Sequence, residues 1–88
     1  MVWSYTIEPR ADRELKRLGP AATAKIVGFL EKRIHGTRDP RAFGKPLSGI
    51  LHGLWRYRVE DYRIICRIED HRVIVTVVAV GHRSSVYD

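Results

Sequence analysis

The sequence predicts an α+β fold of two layers, β-α-α-β-β-β in order, with a helix hairpin packed on one face of a mainly antiparallel four-stranded sheet. Three observations predict it. A short β-rich segment opens the chain. Two stretches with apolar residues at helical spacing follow. Three further β-rich segments close the chain around two short polar turns. Helices gathered on one side of such a sheet bury one face of every element.

Val2 to Ile7 is rich in Trp, Tyr, Thr, Ile and Val, which suits a strand. Pro9 stands where a helix can begin, because its missing N–H has no intrahelical acceptor there anyway. Ala11, Leu15 and Leu18 then form a stripe at spacings of four and three. Gly19-Pro20 stops that helix and opens the next. Ala22, Ile26, Phe29, Leu30 and Ile34 continue as a second stripe, which Gly36 ends. Only a short turn separates the two helices, so they form an antiparallel hairpin. From residue 36 to 53 the density of Gly and Pro reads as a long loop. Leu54 to Val59, Tyr62 to Glu69 and Val73 to Val80 read as three strands, with Glu60-Asp61 and Asp70-His71 at the turn tips. The last strand is almost wholly apolar, as expected of a central strand covered on both sides.

The chain of 88 residues suits one domain, 1–88, with one core. It has no apolar run near the length of a membrane span and no segment resembling a signal peptide. A single cysteine, Cys66, cannot form an internal disulfide. These features point to a cytoplasmic protein with no membrane association. Sixteen Lys and Arg, most of them Arg, oppose ten Asp and Glu, for a net charge of +6. The guanidinium group makes forked hydrogen bonds to phosphate. Such a basic chain implies an acidic partner, either nucleic acid or protein.

The hairpin register sharpens that inference. If Glu60-Asp61 is a two-residue loop, Val59 faces Tyr62, Arg58 faces Arg63, Tyr57 faces Ile64 and Trp55 faces Cys66. Side chains alternate along a strand. Trp55, Tyr57, Val59, Tyr62, Ile64, Cys66 and Ile68 therefore share the face under the helices, with Cys66 a buried thiol. Arg56, Arg58 and Arg63 share the other. Like charges directly opposite one another destabilise a sheet, so this face calls for an anion. Strict alternation carries His82, not Arg83, to the Arg63 face, unless Gly81 hosts a bulge. No His/Cys cluster has zinc-ligand spacing, and no cofactor is expected.

Several segments stand together in a specific order. They are Ala11 to Leu18 (ADRELKRL), Lys45-Pro46-Leu47-Ser48-Gly49, Trp55-Arg56-Tyr57-Arg58, Tyr62-Arg63-Ile64-Ile65, and Val80-Gly81-His82-Arg83 followed by Val86-Tyr87. In this order the chain resembles the RelE/ParE superfamily of bacterial and archaeal toxins over nearly its whole length. The resemblance implies a helix hairpin on an antiparallel sheet with the first strand beside the last. It also implies the toxin of a type II toxin–antitoxin pair, held inactive by a cognate antitoxin, the complex binding its own operator DNA through that antitoxin. The RelE branch is a ribosome-dependent endoribonuclease that cleaves messenger RNA in the ribosomal A site.

Carried over by position, Arg56 and Arg58 look like that branch's paired substrate-binding cations, which are often lysines there. Arg63 looks like its phosphate-binding arginine. Arg83 and Tyr87 look like its C-terminal catalytic arginine and tyrosine. An arginine holds phosphate but does not act readily as a base. The expected catalytic set is Arg63, Arg83 and Tyr87, with Arg56, Arg58 and His82 binding substrate. Tyr87 is the candidate base, and His82 a second candidate on pKa grounds. Two alternatives stand beside this reading: a ParE-type toxin acting on DNA gyrase, and a basic binding module without catalysis.

Overall fold

The computed structural model describes residues 1–82. Strand β1 (Ser4–Ile7) leads into helix α1 (Pro9–Leu18), which is followed by helix α2 (Pro20–Phe29). A two-residue strand β2 (Lys45–Pro46) precedes β3 (Trp55–Val59), β4 (Tyr62–Glu69) and β5 (Ile74–His82). The sheet order is β1-β5-β4-β3-β2. β1 runs parallel to β5, and the other neighbours are antiparallel. The α+β class is the one expected, and the order differs from β-α-α-β-β-β by one added strand. Among the described residues the sheet has five strands rather than four, because Lys45 and Pro46 pair with Arg56 and Trp55 inside the stretch read as a loop. No helix among the described residues is long and apolar enough to cross a membrane.

The hairpin is closed by local chemistry. Pro9 and Pro20 each occupy a first helical turn. Gly19 takes φ 96°, a left-handed value that frees the chain to reverse there. The Thr23 hydroxyl of α2 donates to the Leu15 carbonyl of α1 at 2.9 Å and so satisfies an acceptor at the open end of that helix. Beyond Phe29 the helix continues through Leu30–Ile34 with a wider winding, in which the His35 N–H reaches back five residues to the Leu30 carbonyl at 2.8 Å. The widened turn keeps Leu30 and Ile34 buried alongside Ile26.

The core lies between the hairpin and one sheet face. Ala11, Leu15, Ile26, Leu30 and Ile34 meet Tyr57, Ile64, Cys66, Val75, Val77 and Val80. The face expected to pack under the helices therefore does so. Cys66 is buried, and burial pushes its thiol well above its ordinary pKa, so it remains a protonated core residue.

Strand β3 also anchors the segment before it. Tyr57 is fully buried and its hydroxyl donates to the Pro40 carbonyl at 2.8 Å. The Trp55 indole N–H donates to the Phe43 carbonyl at 2.7 Å. Arg41 grips both carboxylate oxygens of Asp70, at 2.8 and 2.9 Å, tying this segment to the β4–β5 turn.

Replacing Tyr57 by Phe keeps the ring but leaves the Pro40 carbonyl without its buried donor. The expected loss is about 1–3 kcal/mol, the range for an unsatisfied buried group. In a chain of this size that is a fall of several degrees in Tm, measurable by thermal unfolding. An unchanged Tm would show that the segment is not held through this bond.

Candidate functional site

The face of the sheet turned away from the hairpin is built by the β3–β4 register. Glu60 and Asp61 form a two-residue turn with Glu60 at φ 53°. Arg58 consequently stands opposite Arg63, and Tyr57 opposite Ile64. Since Tyr57 and Ile64 are core, Arg56, Arg58 and Arg63 lie together on the other face, as the register argument expected. Arg58 is exposed, with its Nε 3.4 Å from the Glu60 carbonyl, whereas Arg63 is only 7% exposed. The Glu60 carboxylate is drawn toward the helices by Lys25 at 3.0 Å.

The lower part of the same face is neutralised. Arg67, four residues along β4 from Arg63, pairs with Glu8 at 3.1 Å and lies 3.6 Å from Glu69, which also holds Arg72 at 3.1 Å. The Thr76 hydroxyl, with these ion pairs beside it, holds the Glu69 carboxyl below its usual range. Beside Arg67 lies a groove of about 280 Å³, floored by Ile65, Val78 and Ala79 and walled by Leu51 and Leu54. Arg58 and Arg63 stand at the upper end of the same face.

One expectation is overturned. His82 does not share the face of Arg63. Between the pairs Ile65–Ala79 and Cys66–Val77 the β4–β5 register shifts by one residue, which makes Val78 an extra residue on β5. Alternation restarts after it. Val80 joins the core opposite Ile64, and His82 follows on the helix side opposite Tyr62, their rings edge to face with centroids 5.9 Å apart. Gly81, by contrast, stands opposite Arg63, so no side chain at that position crowds the guanidinium. The bulge is at Val78, not at Gly81. Beyond the end of β1, the Val80 N–H finds its acceptor in the Glu14 carboxylate of α1, at 2.9 Å. Arg83 and Tyr87, the C-terminal residues expected at the site, lie outside the described residues.

Lys45 is a residue that the reading of the sequence left without a role. It pairs with Arg56 across β2 and β3, so it belongs to the cationic face. Its only signal in the sequence is Gly44-Lys45-Pro46 ahead of the apolar Leu47, within a stretch rich in glycine.

The surface can do two things chemically. Its guanidinium groups can hold phosphate in forked geometry, and they can stabilise added negative charge on phosphorus. They cannot serve as bases.

Known proteins resemble this chain in sequence and fold. The family model of the ParE toxin of type II toxin–antitoxin systems, parDE, matches residues 5–87. Toxin RelG of Mycobacterium tuberculosis (strain ATCC 25618 / H37Rv) is 32% identical over 87 residues, spanning 99% of this chain and 98% of RelG. Toxin RelE of the same organism is 33% identical over 85 residues, spanning 97% of this chain and 86% of that protein. Among solved structures, a chain of the toxin–antitoxin complex RelBE2 from Mycobacterium tuberculosis superposes with a TM-score of 0.84 at 31% identity, covering 94% of this chain and 100% of that one.

The Val80–Glu14 hydrogen bond has a direct test. Glu14→Ala removes the acceptor of the Val80 N–H and is expected to accelerate hydrogen exchange at that amide, with a stability loss of about 1 kcal/mol. Glu14→Gln retains an acceptor oxygen and should protect Val80 nearly as well as the parent. Equal exchange at Val80 in the parent and Glu14→Ala would show that the carboxylate does not hold this amide.

Proposed function

The chain belongs to the RelE/ParE superfamily of toxins from type II toxin–antitoxin systems, and from that premise we propose that it is an endoribonuclease that cleaves messenger RNA in the ribosomal A site. The observation that carries this reading is the gathering of Arg56, Arg58 and Arg63 on the open sheet face. Guanidinium groups so gathered offer a phosphate forked hydrogen bonds and positive charge.

The reaction uses a nucleophile that RNA itself supplies. The 2′-oxygen attacks the adjacent phosphorus, and its proton passes to a base. The P–O5′ bond breaks, and the leaving 5′-oxygen takes a proton from an acid. The products are a 2′,3′-cyclic phosphate and a 5′-hydroxyl. In this proposal Arg63 and Arg83 stabilise the charge that builds on phosphorus, Arg56 and Arg58 bind the substrate, and Tyr87 is the base. His82, on the helix side of the sheet, is left out of the reacting set.

The same reading includes a cognate antitoxin in the cytoplasm, and the RelBE2 complex supports a partner of that kind. A surface suited to it runs along the hairpin. Helix α2 (PAATAKIVGF) carries apolar residues all round, and only Ala22 and Ile26 are fully buried. Its outer side contributes Pro20, Thr23, Ala24 and Val27 to a shallow groove of about 540 Å³ with Lys16 at the edge. An amphipathic helix with acidic flanks matches that groove. Operator DNA would be bound through the antitoxin.

The family model's ParE name keeps DNA gyrase as the rival target. The deciding experiment adds the purified chain to translating ribosomes, maps new 5′ ends on the message, and runs a gyrase supercoiling assay in parallel. Tyr87→Phe is expected to bind ribosomes almost normally while losing cleavage by about 10²–10⁴-fold, the range for a lost acid–base group. Arg63→Ala should lose cleavage with a larger binding defect, and His82→Gln should cleave nearly as the parent does. Inhibited supercoiling with intact message would replace this reading with the gyrase one. Full cleavage by Tyr87→Phe would remove Tyr87 as the base.

A further inference from the structure

We infer that the groove beside Arg67 seats one nucleobase of the substrate strand, a base next to the phosphodiester that is cut. This seat rests on the functional reading above and adds the recognition of a base to it. The groove lies on the same open face as Arg63. Ile65, in its floor, follows Arg63 by one same-face step of β4, about 7 Å. That step is comparable with the distance from a phosphate to the base of its own nucleotide.

Two irregular features of the fold make the groove. On β5 the extra residue Val78 brings a second apolar side chain, beside Ala79, to its floor. Bulges re-aim side chains in this way and recur next to active sites. On the other side the turn Gly49–Leu51 and Leu54 come over β4 and leave Ile65 only 3% exposed, although the helix hairpin lies on the opposite face. The volume of about 280 Å³ falls just below the range of roughly 300–1,000 Å³ for complete small-molecule sites, so it suits one flat ring system. The rim supplies contacts for the edge of that ring. Glu8 and Arg67 pair there at 3.1 Å, with their side chains 41% and 48% exposed. A carboxylate accepts at both oxygens and a guanidinium donates from five N–H groups, so the pair can still serve a third group. The edge of a base presents donors and acceptors together. An aliphatic side chain of a protein partner would fill the floor but engage neither member of the pair, which favours the base.

The test removes bases from the message and fills the groove in the protein. Messages on programmed ribosomes carry an abasic residue at each A-site position in turn. Each is cut in single turnover by the parent, by Ala79→Leu, which fills the groove, and by Ala21→Leu, a control at an exposed position of α2. At one position the missing base should raise the parent's half-saturating toxin concentration about tenfold. The maximal rate should stay within about twofold. Ala79→Leu should show a similar rise on the intact message and no further rise on that abasic one, because both changes remove the same contact. Glu8→Gln should shift the preference among the four bases at that position by about threefold or more and leave the other positions as they are. Val78→Thr keeps nearly the shape of valine but adds a hydroxyl to the floor, and it serves the same cycle if Ala79→Leu does not fold. Losses that multiply between the filled groove and the abasic position overturn the seat. Ala79→Leu cutting every message as Ala21→Leu does, while Arg63→Ala loses cleavage, also overturns it and leaves the functional reading standing. If that variant in addition escapes neutralisation by the antitoxin, the groove belongs to the antitoxin instead. A parent chain that cuts no message overturns the functional reading and this seat with it.

Discussion

The two-residue turn at Glu60 and Asp61 sets the register on which the chemistry of the sheet depends. With a loop of that length, Tyr57 meets Ile64 in the core and Arg58 meets Arg63 on the open face. A slip of one residue would send every β4 side chain to the opposite face, burying guanidinium groups among Leu15, Ile26 and Leu30. The register is therefore enforced twice, by hydrophobic burial on one face and by the conformation of Glu60 at φ 53° in the turn. The charge repulsion accepted on the open face is small beside the cost of that slip, which would leave charged groups in an apolar core.

The long segment between the hairpin and β3 depends on the same strand. Trp55 and Tyr57 each spend their polar atom on a main-chain carbonyl of that segment, at Phe43 and Pro40. The two aromatics thus serve the core with their rings and the loop with their donors. Glycine at 44 then allows main chain to approach main chain, and a two-residue edge strand results. The apolar tip of the following turn remains outside, with Ile50 94% exposed.

Much of this was legible in the sequence, and the exceptions have identifiable causes. The helix hairpin followed from the Ala11-Leu15-Leu18 and Ala22-Ile26 spacings, and the cationic face from alternation around a two-residue turn. Strand β2 was not legible because its pairing is made by anchors remote in sequence, Trp55 and Leu54, and not by any β-rich run of its own. The bulge at Val78 was hidden for a different reason. Val73 to Val80 is apolar at nearly every position, so an extra residue leaves no break in the pattern. Only the pairing with β4, where Ile65 meets Ala79 and Cys66 meets Val77, reveals it. That hidden residue decides the side of the sheet on which His82 falls. The widened turn at Leu30–Ile34 was invisible as well, since a change in winding alters no residue type.

The position of β5 within the sheet has a consequence for biosynthesis. It is the last strand among the described residues, yet it lies between β1 and β4 and supplies Val75, Val77 and Val80 to the core. The first strand, made early, waits for residues 74–77 before it has a neighbour, and Ala11 and Leu15 of α1 wait for the same strand to be covered. Pairings so distant along the chain form late, because a long loop must close before they contribute. On the ribosome that makes it, the nascent chain can hold its hairpin and its β3–β4 ribbon but not a completed sheet. The cationic face therefore becomes rigid only after β5 has emerged and paired with both β4 and β1.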